Sequence, residues 1–427
     1  MISDKWMQAK LIDVCEFISR GITPSYTNKG GVIVINQKCI RNNTVNFKAS
    51  RLTNPNKKRI SKQKYLKPYD ILINSTGVGT LGRVAQLKNV KELITCDSHV
   101  TIVRANEKVY PEYLGYNLFM QHSNIERLAE GSTGQTELSK TRLGEVINLY
   151  IPPLKEQKAI AHILSTLDEK IEVNNQMNKT LEKMAQLIFK HWFVDFEFSN
   201  EEGKPYKSSG GKMVQSELGM IPEGWKLKAL GKVLNTIEAG NRPKGGAGNL
   251  NKGIPSIGAE NIIGLGKYNY SKEKYVSYDY FKNMNKGIIK SGDVLLYKDG
   301  AKLGRKSIFM NGYPHEKCCV NSHVFILRTN ELISQSYLYF WLDQDCMTKD
   351  IINLNANSAQ PGINQVQVKS LKILIPDKSI INKFDIIILS LLKRIFLNCN
   401  INNELTQLRD TLLPKLMSGE IRVPLNN

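Results

Sequence analysis

The apolar pattern along the chain changes its period twice. Up to Pro152, and again up to Pro376, apolar residues fall in short strand-like runs bounded by turn residues; beyond each proline they take helical spacing. From 154 to about 192, Ile160, Leu164, Leu167, Ile171, Leu181, Ala185 and Ile188 alternate three and four apart, the seam of a coiled coil. A shift of 224 gives Phe384, Ile388, Leu391, Ile395, Leu405, Arg409 and Leu412, which repeats the seam except at Arg409. The polar interruptions repeat as well, Asn174 and Asn178 mapping onto Asn398 and Asn402. Asparagine on a seam costs stability and fixes register and partner, so the spacing predicts that the two helices pair with each other. Each would span roughly 50 Å for about 34 residues.

The strand-like halves are copies too. Trp6, Leu11 and Val14 recur as Trp225, Leu230 and Val233, and Gly21 with Pro24 as Gly240 with Pro243. Asp70-Ile71-Leu72 recurs as Asp293-Val294-Leu295, and Leu81-Gly82-Arg83 as Leu303-Gly304-Arg305. Ser98-His99-Val100 with Arg104 recurs as Ser322-His323-Val324 with Arg328, and Ile151-Pro152 as Ile375-Pro376. The order holds throughout, so the chain is an internal repeat. The expected fold is α+β: two homologous mixed globules, 1–150 and 220–376, separated by helical regions 151–196 and 377–427 that pack as an antiparallel coiled coil in a pseudo-twofold repeat. Residues 197–219 contain Ser-Asn-Glu-Glu-Gly-Lys-Pro and Lys-Ser-Ser-Gly-Gly-Lys, polar and glycine-containing sequence that reads as a linker. Helix pairing is expected through Leu164, Leu167, Ile171, Asn174, Asn178 and Leu181 on one side, and Ile388, Leu391, Ile395, Asn398, Asn402 and Leu405 on the other.

Charge follows the same division. Of the net +20, residues 1–150 contribute +10 (22 Lys+Arg against 12 Asp+Glu) and residues 215–376 contribute +8 (21 against 13). Residues 151–214 are neutral at 9 against 9. Two separate basic surfaces point to a polyanion touched twice. Other chemistry is missing from the pattern. Seven cysteines include no Cys-x-x-Cys, which reads as reduced, mostly buried thiols in a cytoplasm. Six scattered histidines give no zinc spacing, so no metal site is expected. No apolar run reaches about 18 residues and the opening lacks a secretory layout, so no membrane span is expected. Gly77-Val78-Gly79-Thr80-Leu81-Gly82 fits a dinucleotide fingerprint, but Arg83–Lys88 reads as a strand rather than the required helix. The second copy keeps only Leu-Gly-Arg there, so the motif is read as a tight turn between strands. No phosphate-gripping loop of the G-x-x-x-x-G-K-[ST] form, methyltransferase motif or nuclease cluster is present, and no catalytic residues are expected.

Ile151-Pro152-Pro153-Leu154, with Glu156-Gln157 and Ile160, leads into Leu164, Leu167-Asp168 and Ile171. This stretch resembles the central region of the specificity subunits of type I restriction-modification systems. Phe189-x2-Trp192-Phe193-Val194-Asp195-Phe196 and the tail Leu412-Leu413-Pro414-Lys415-Leu416-Met417-Ser418-Gly419-Glu420-Ile421 carry the same resemblance. The distal copy departs from it, Pro376-Asp377-Lys378-Ser379-Ile380-Ile381 lacking the Pro-Pro-Leu-x-Glu-Gln form. The resemblance implies two target-recognition domains that each read half of a split double-stranded DNA site. It also implies two modification subunits docked on the helices and restriction subunits that join them. S-adenosylmethionine, ATP and Mg then belong to those partners and no cofactor to this chain.

Under that resemblance, loops flanking strands are the candidate readers: Arg20 and Thr23; Asn36, Gln37 and Arg41; Thr133 and Gln135. In the second domain they are Arg242 and Lys244; Glu260 and Asn261; Ser358 and Gln360. Asn and Gln pair bidentately with adenine and Arg with guanine. Arg83 and Arg305 recur while the targets differ, which assigns them to phosphate or to structure. The recurring His99 and His323 are read as core hydrogen-bonding residues. The alternatives are a fused methyltransferase, against which the missing motifs count, and a coiled-coil scaffold whose basic domains bind RNA or an acidic protein.

Overall fold

The structure is a computed structural model that describes residues 6–41, 43–131, 136–241, 243, 250–355 and 361–424. Its contacts divide the chain into two units, Met1–Glu169 with Leu405–Asn427, and Lys170–Glu404. Each unit holds one mixed globule and a stretch of each of two long helices, Leu154–Phe193 and Lys378–Met417. The helices have 40 residues each, longer than the periodic seam alone indicated, because the last turns carry apolar faces that pack on the globules.

In the first unit a four-stranded antiparallel sheet runs in the order Cys15–Arg20, Val100–Ala105, Ile71–Asn74, Val84–Gln86. All four residues of Ile71–Asn74 are buried, as in a strand covered on both faces. Beside it Ile94–Cys96 pairs in parallel with Val32–Ile35. The second unit repeats the plan: Leu234–Ala239, Val324–Thr329, Val294–Tyr297, Lys306–Ile308, with Ile254–Ile257 parallel to Cys319–Val320. In each globule the first strand pairs antiparallel with the last, Met7–Lys10 with Asn148–Ile151 and Lys226–Ala229 with Lys372–Ile375.

The recurring residues of the sequence hold this plan in place. Leu11, Val14, Leu230 and Val233 are fully buried. The Arg104 guanidinium donates to both oxygens of Asp70, Nε to Oδ1 at 2.7 Å and Nη2 to Oδ2 at 2.6 Å. Arg328 does the same to Asp293 at the same two distances. Each pair ties the start of one central strand to the end of its neighbour, and the fork geometry satisfies a carboxylate that is almost wholly buried. Tyr113 and Tyr337, both fully buried, donate to the carbonyls of Tyr150 and Leu374 at the closing strand.

Within each unit the two long helices run antiparallel. In the second unit Asn174 Nδ2 donates to Asn402 Oδ1 and Asn398 Nδ2 to Asn178 Oδ1, both at 2.8 Å. The two bonds are exchanged by the repeat, since 174 maps onto 398 and 178 onto 402. Farther along, Phe384 meets Phe193 edge-on at 4.9 Å between centroids. In the first unit Ile160 and Leu164 share a core with Leu413, Leu416 and Met417. Arg409, the exception in the repeated seam, donates to Asp168 at 2.7 Å, and Tyr116 donates to the other oxygen of that carboxylate. Of the candidate pairing positions, Leu164, Asn174, Ile388, Ile395 and Asn398 are buried; Leu167, Ile171, Asn178, Leu181, Leu391, Asn402 and Leu405 are half-buried.

The amide oxygens of Asn174 and Asn398 are buried without a hydrogen-bond partner among the described residues, so the asparagine layer costs stability while it defines the register. A single Asn178→Leu substitution strands the Asn398 amide, itself 1% exposed. We expect it to destabilise the chain by about 1–3 kcal/mol, while Asn178→Leu with Asn398→Leu recovers most of that loss. Urea titration of the three proteins checks it; a double variant as unstable as the single one would refute the pairing.

The start of the first long helix shows why its sequence is polar. Glu156 and Gln157 are each 1% exposed. Glu156 accepts from Trp6 Nε1 at 3.2 Å and from Arg422 Nε at 2.6 Å. Gln157 accepts from the Tyr110 backbone and donates to the Pro152 carbonyl. The corresponding Ile380 and Ile381 are simply buried in apolar surroundings, with no polar partner to serve. Residues 197–219, polar in composition, are not a free tether: Phe198 stacks between Trp225 and Tyr206, and Met213–Ser216 pairs with Gly219–Pro222. Apolar Phe198 and Tyr206 bind the segment to the second globule despite its many Ser, Gly and Lys residues.

Candidate nucleic-acid interface

One loop constellation is built twice. In the first unit the glycine turn after Asn74 meets the Asp97-Ser98-His99 turn and the returning segment at 137–138. Ser75 N–H donates to the His99 carbonyl, and Leu138 N–H donates to the Ser75 carbonyl, each at 2.8 Å. In the second, Lys298 N–H donates to the His323 carbonyl at 3.1 Å and Ile363 N–H to the Lys298 carbonyl at 2.9 Å. The end of the strand that follows Val14 or Val233 abuts the same place. There a Cβ on Gly21 or Gly240 would collide with the carbonyls of Cys96 and Asp97, or of Val320, so only glycine fits. The Leu-Gly-Arg turn also needs its glycine: Gly82 and Gly304 have φ of 81° and 85°. Val84–Gln86 returns antiparallel to Ile71–Asn74, so the dinucleotide-like fingerprint is a turn between strands.

The histidines sit differently from the expectation. His99 and His323 are exposed, not core residues. Asp97 Oδ1 and Asn321 Oδ1 accept from the histidine backbone N–H two residues on, at 3.0 and 2.8 Å, turns that throw the ring to the surface. His99 Nδ1 hydrogen-bonds Thr76 Oγ1 and His323 Nδ1 hydrogen-bonds Asp299 Oδ2, both at 2.8 Å. The Asp-Ser-His and Asn-Ser-His triplets were the available signal, since an Asx residue three before a strand, bonding the backbone two residues on, marks a turn. Burial raises the Asp97 pKa from its ordinary value, opposed by the His99 backbone bond.

Arg20 belongs to this constellation. Its Nη2 donates to the Leu138 carbonyl at 2.7 Å and its Nη1 to that of Ser98 at 3.4 Å, and it pairs with Glu137. Gln37 Oε1 accepts from Thr76 Oγ1, which brings it to the same turn. Asn36 and Asn261 follow corresponding parallel strands and are buried with both amide ends engaged. Asn36 accepts from Lys38 N–H and donates to the Ala49 carbonyl. Asn261 accepts from Gly258 N–H and donates to the Asn269 carbonyl. Their geometry shapes the loops. Glu260 is half-buried and 3.7 Å from Lys274, while Thr23 and Arg41 are exposed. Arg83 donates to the Gly79 carbonyl at 2.8 Å and Arg305 to that of Ile262 at 3.4 Å, bracing their turns. Thr133, Gln135, Arg242, Lys244, Ser358 and Gln360 lie outside the described residues.

Lys64 Nζ donates to the Gly21 carbonyl, which puts a positive charge at the constellation of the first unit, and Lys57, Lys58, Arg59 and Lys62 earlier in the same segment are exposed. Among the described residues no group of His, Cys, Asp and Glu is placed to hold a metal, and no helix is long and apolar enough to cross a membrane. Burial pushes the Cys318 and Cys399 thiols up to about 12, which leaves them unreactive.

The family model of the type I restriction modification DNA specificity domain matches the chain twice, over residues 3–183 and 222–407. The chain belongs to that family. It is 30% identical over 352 residues to the type I restriction enzyme MjaIX specificity subunit of Methanocaldococcus jannaschii, covering 82% of this chain and 77% of that one. Against the HindI specificity subunit of Haemophilus influenzae the identity is 25% over 484 residues, with 97% and 99% covered. A crystal structure of a type I restriction-modification S subunit from M. genitalium shares the fold, with a TM-score of 0.56, 18% identity and coverage of 97% and 96%. The family's two matches fall on the two copies of the loop constellation, one on each.

Proposed function

We propose that this chain is the sequence-reading subunit of a type I restriction-modification assembly, with each copy of the constellation reading one half of a split duplex site. It acts in the cytoplasm on double-stranded DNA and has no catalytic centre of its own. The observation that carries the reading is the duplicated loop face, held by the same backbone bonds in both units, in the two blocks that hold +18 of the +20 net charge. Arg20, Gln37 and Glu260, together with exposed Thr23 and Arg41, are the base-reading candidates among the described residues. Asn36 and Asn261 act through the loop shapes they fix.

Two modification subunits dock on the long helices, and restriction subunits join the assembly. The partners bring S-adenosylmethionine, Mg and ATP. Apolar residues exposed at equivalent positions of both helices support a partner that binds twice: Val173 and Leu397 are 51% and 47% exposed, Met184 and Leu408 45% and 47%.

The test is modular exchange. Replacing residues 1–150 by those of a homologue with a different target is expected to change one half-site of the methylated sequence and leave the other, because separate surfaces touch separate base pairs. Methylome mapping in a host carrying the modification subunits reads the result. A swap that scrambled both half-sites would show joint reading and end the two-reader account.

A further inference from the structure

Almost every residue that recurs between the two copies has a use inside its own globule. Leu11, Val14, Leu81, Val100 and their counterparts are buried; Asp70 and Arg104 form an ion pair, as do Asp293 and Arg328; Arg83 and Arg305 brace turns. The histidines are the exception. The His323 side chain is 56% exposed, and His99 is likewise at the surface. Neither fills a core, yet both have the ring fixed through Nδ1 by a side chain of the glycine turn. Their Nε2 atoms have no hydrogen-bond partner among the described residues. A ring anchored at one nitrogen and open at the other is, in its doubly protonated form, prepared for an outside acceptor, because its orientation entropy is already lost.

The recurrence also restricts what that acceptor is. Two readers of different half-sites share no base sequence, but they share the sugar-phosphate backbone, and contacts that position a reader go to phosphate. In the second unit the Asp299 carboxylate holds the proton on Nδ1, so Nε2 donates when the ring is charged. We propose that His99 and His323 each donate through Nε2 to a backbone phosphate oxygen, a sequence-independent contact that sets the same docking pose for both readers. The inference rests on the DNA-reading function above and adds to it the residues that hold the backbone.

The experiment uses the full-length chain, a duplex carrying its mapped site, and a random duplex of equal length. His99→Ala and His323→Ala are each expected to weaken binding to both duplexes by the same factor, roughly three- to tenfold, the worth of one hydrogen bond. Each should also make the log–log salt slope shallower by up to about 0.9 and leave the methylated sequence unchanged. His99→Lys and His323→Lys keep a cation at the same place and are expected to bind both duplexes nearly as wild type does. Affinities of the alanine variants within twofold of wild type would overturn the proposal. So would a loss confined to the specific duplex with a changed methylated sequence, which marks a base contact. A wild-type chain with no preference for any duplex would instead remove the underlying reading.

Discussion

Asp70→Ala is expected to destabilise the chain by about 3–5 kcal/mol, because it leaves a buried guanidinium without its counter-charge. Asp70 is 1% exposed, and the Arg104 side chain only 9%. What remains near Arg104 is the exposed Glu16, 3.8 Å from its Nε, and the carbonyls of Gln63 and Tyr65. The loss is a large share of a stability that for natural proteins is about 5–15 kcal/mol. Asp293→Ala should cost less, since Arg328 also bonds Glu238 at 3.1 Å and its side chain is 21% exposed. Urea unfolding of both variants gives the comparison. A cost under about 1 kcal/mol for Asp70→Ala would mean that the repeated pair does not hold the sheet.

DNA affinity should fall by about 10³–10⁴ between 50 and 200 mM salt. The two reading blocks carry +10 and +8, enough to neutralise roughly six to eight phosphates between them, and each adds about −0.9 to the log–log slope. Lys57, Lys58 and Arg59 are exposed and have no carboxylate partner among the described residues, so their joint replacement by Gln should flatten the slope by up to about 2.7. Equilibrium binding of a site-bearing duplex at several salt concentrations checks both statements. A flat response would place the charge away from the interface.

The sequence by itself determined the repeat and the two helices. These follow from local spacing: a three-and-four period needs no knowledge of the rest of the fold, and Asn174, Asn178, Asn398 and Asn402 interrupt it at matching places. Their crosswise bonding is what a duplicated antiparallel pair requires. Family membership was legible from Glu156-Gln157 and the tail Leu412 to Ile421, and the fold brings the two motifs together, Arg422 just past the tail bonding both oxygens of Glu156. Tertiary structure alone decided which polar residues are free to meet a ligand. Asn36 and Asn261 look like readers in a loop, yet partners 8 to 13 residues away consume their amides. Arg20 reaches the carbonyl of Leu138, 118 residues on, and that bond sets it in the loop face. The recurrence of His99 and His323 points to core residues, yet both rings are exposed, because recurrence does not say which side of a turn a ring faces. Burial and hydrogen-bond satisfaction are properties of segments brought together from far apart in the chain, such as Ile94–Cys96 beside Val32–Ile35. A one-dimensional pattern carries the period of each segment and not the identity of its neighbours.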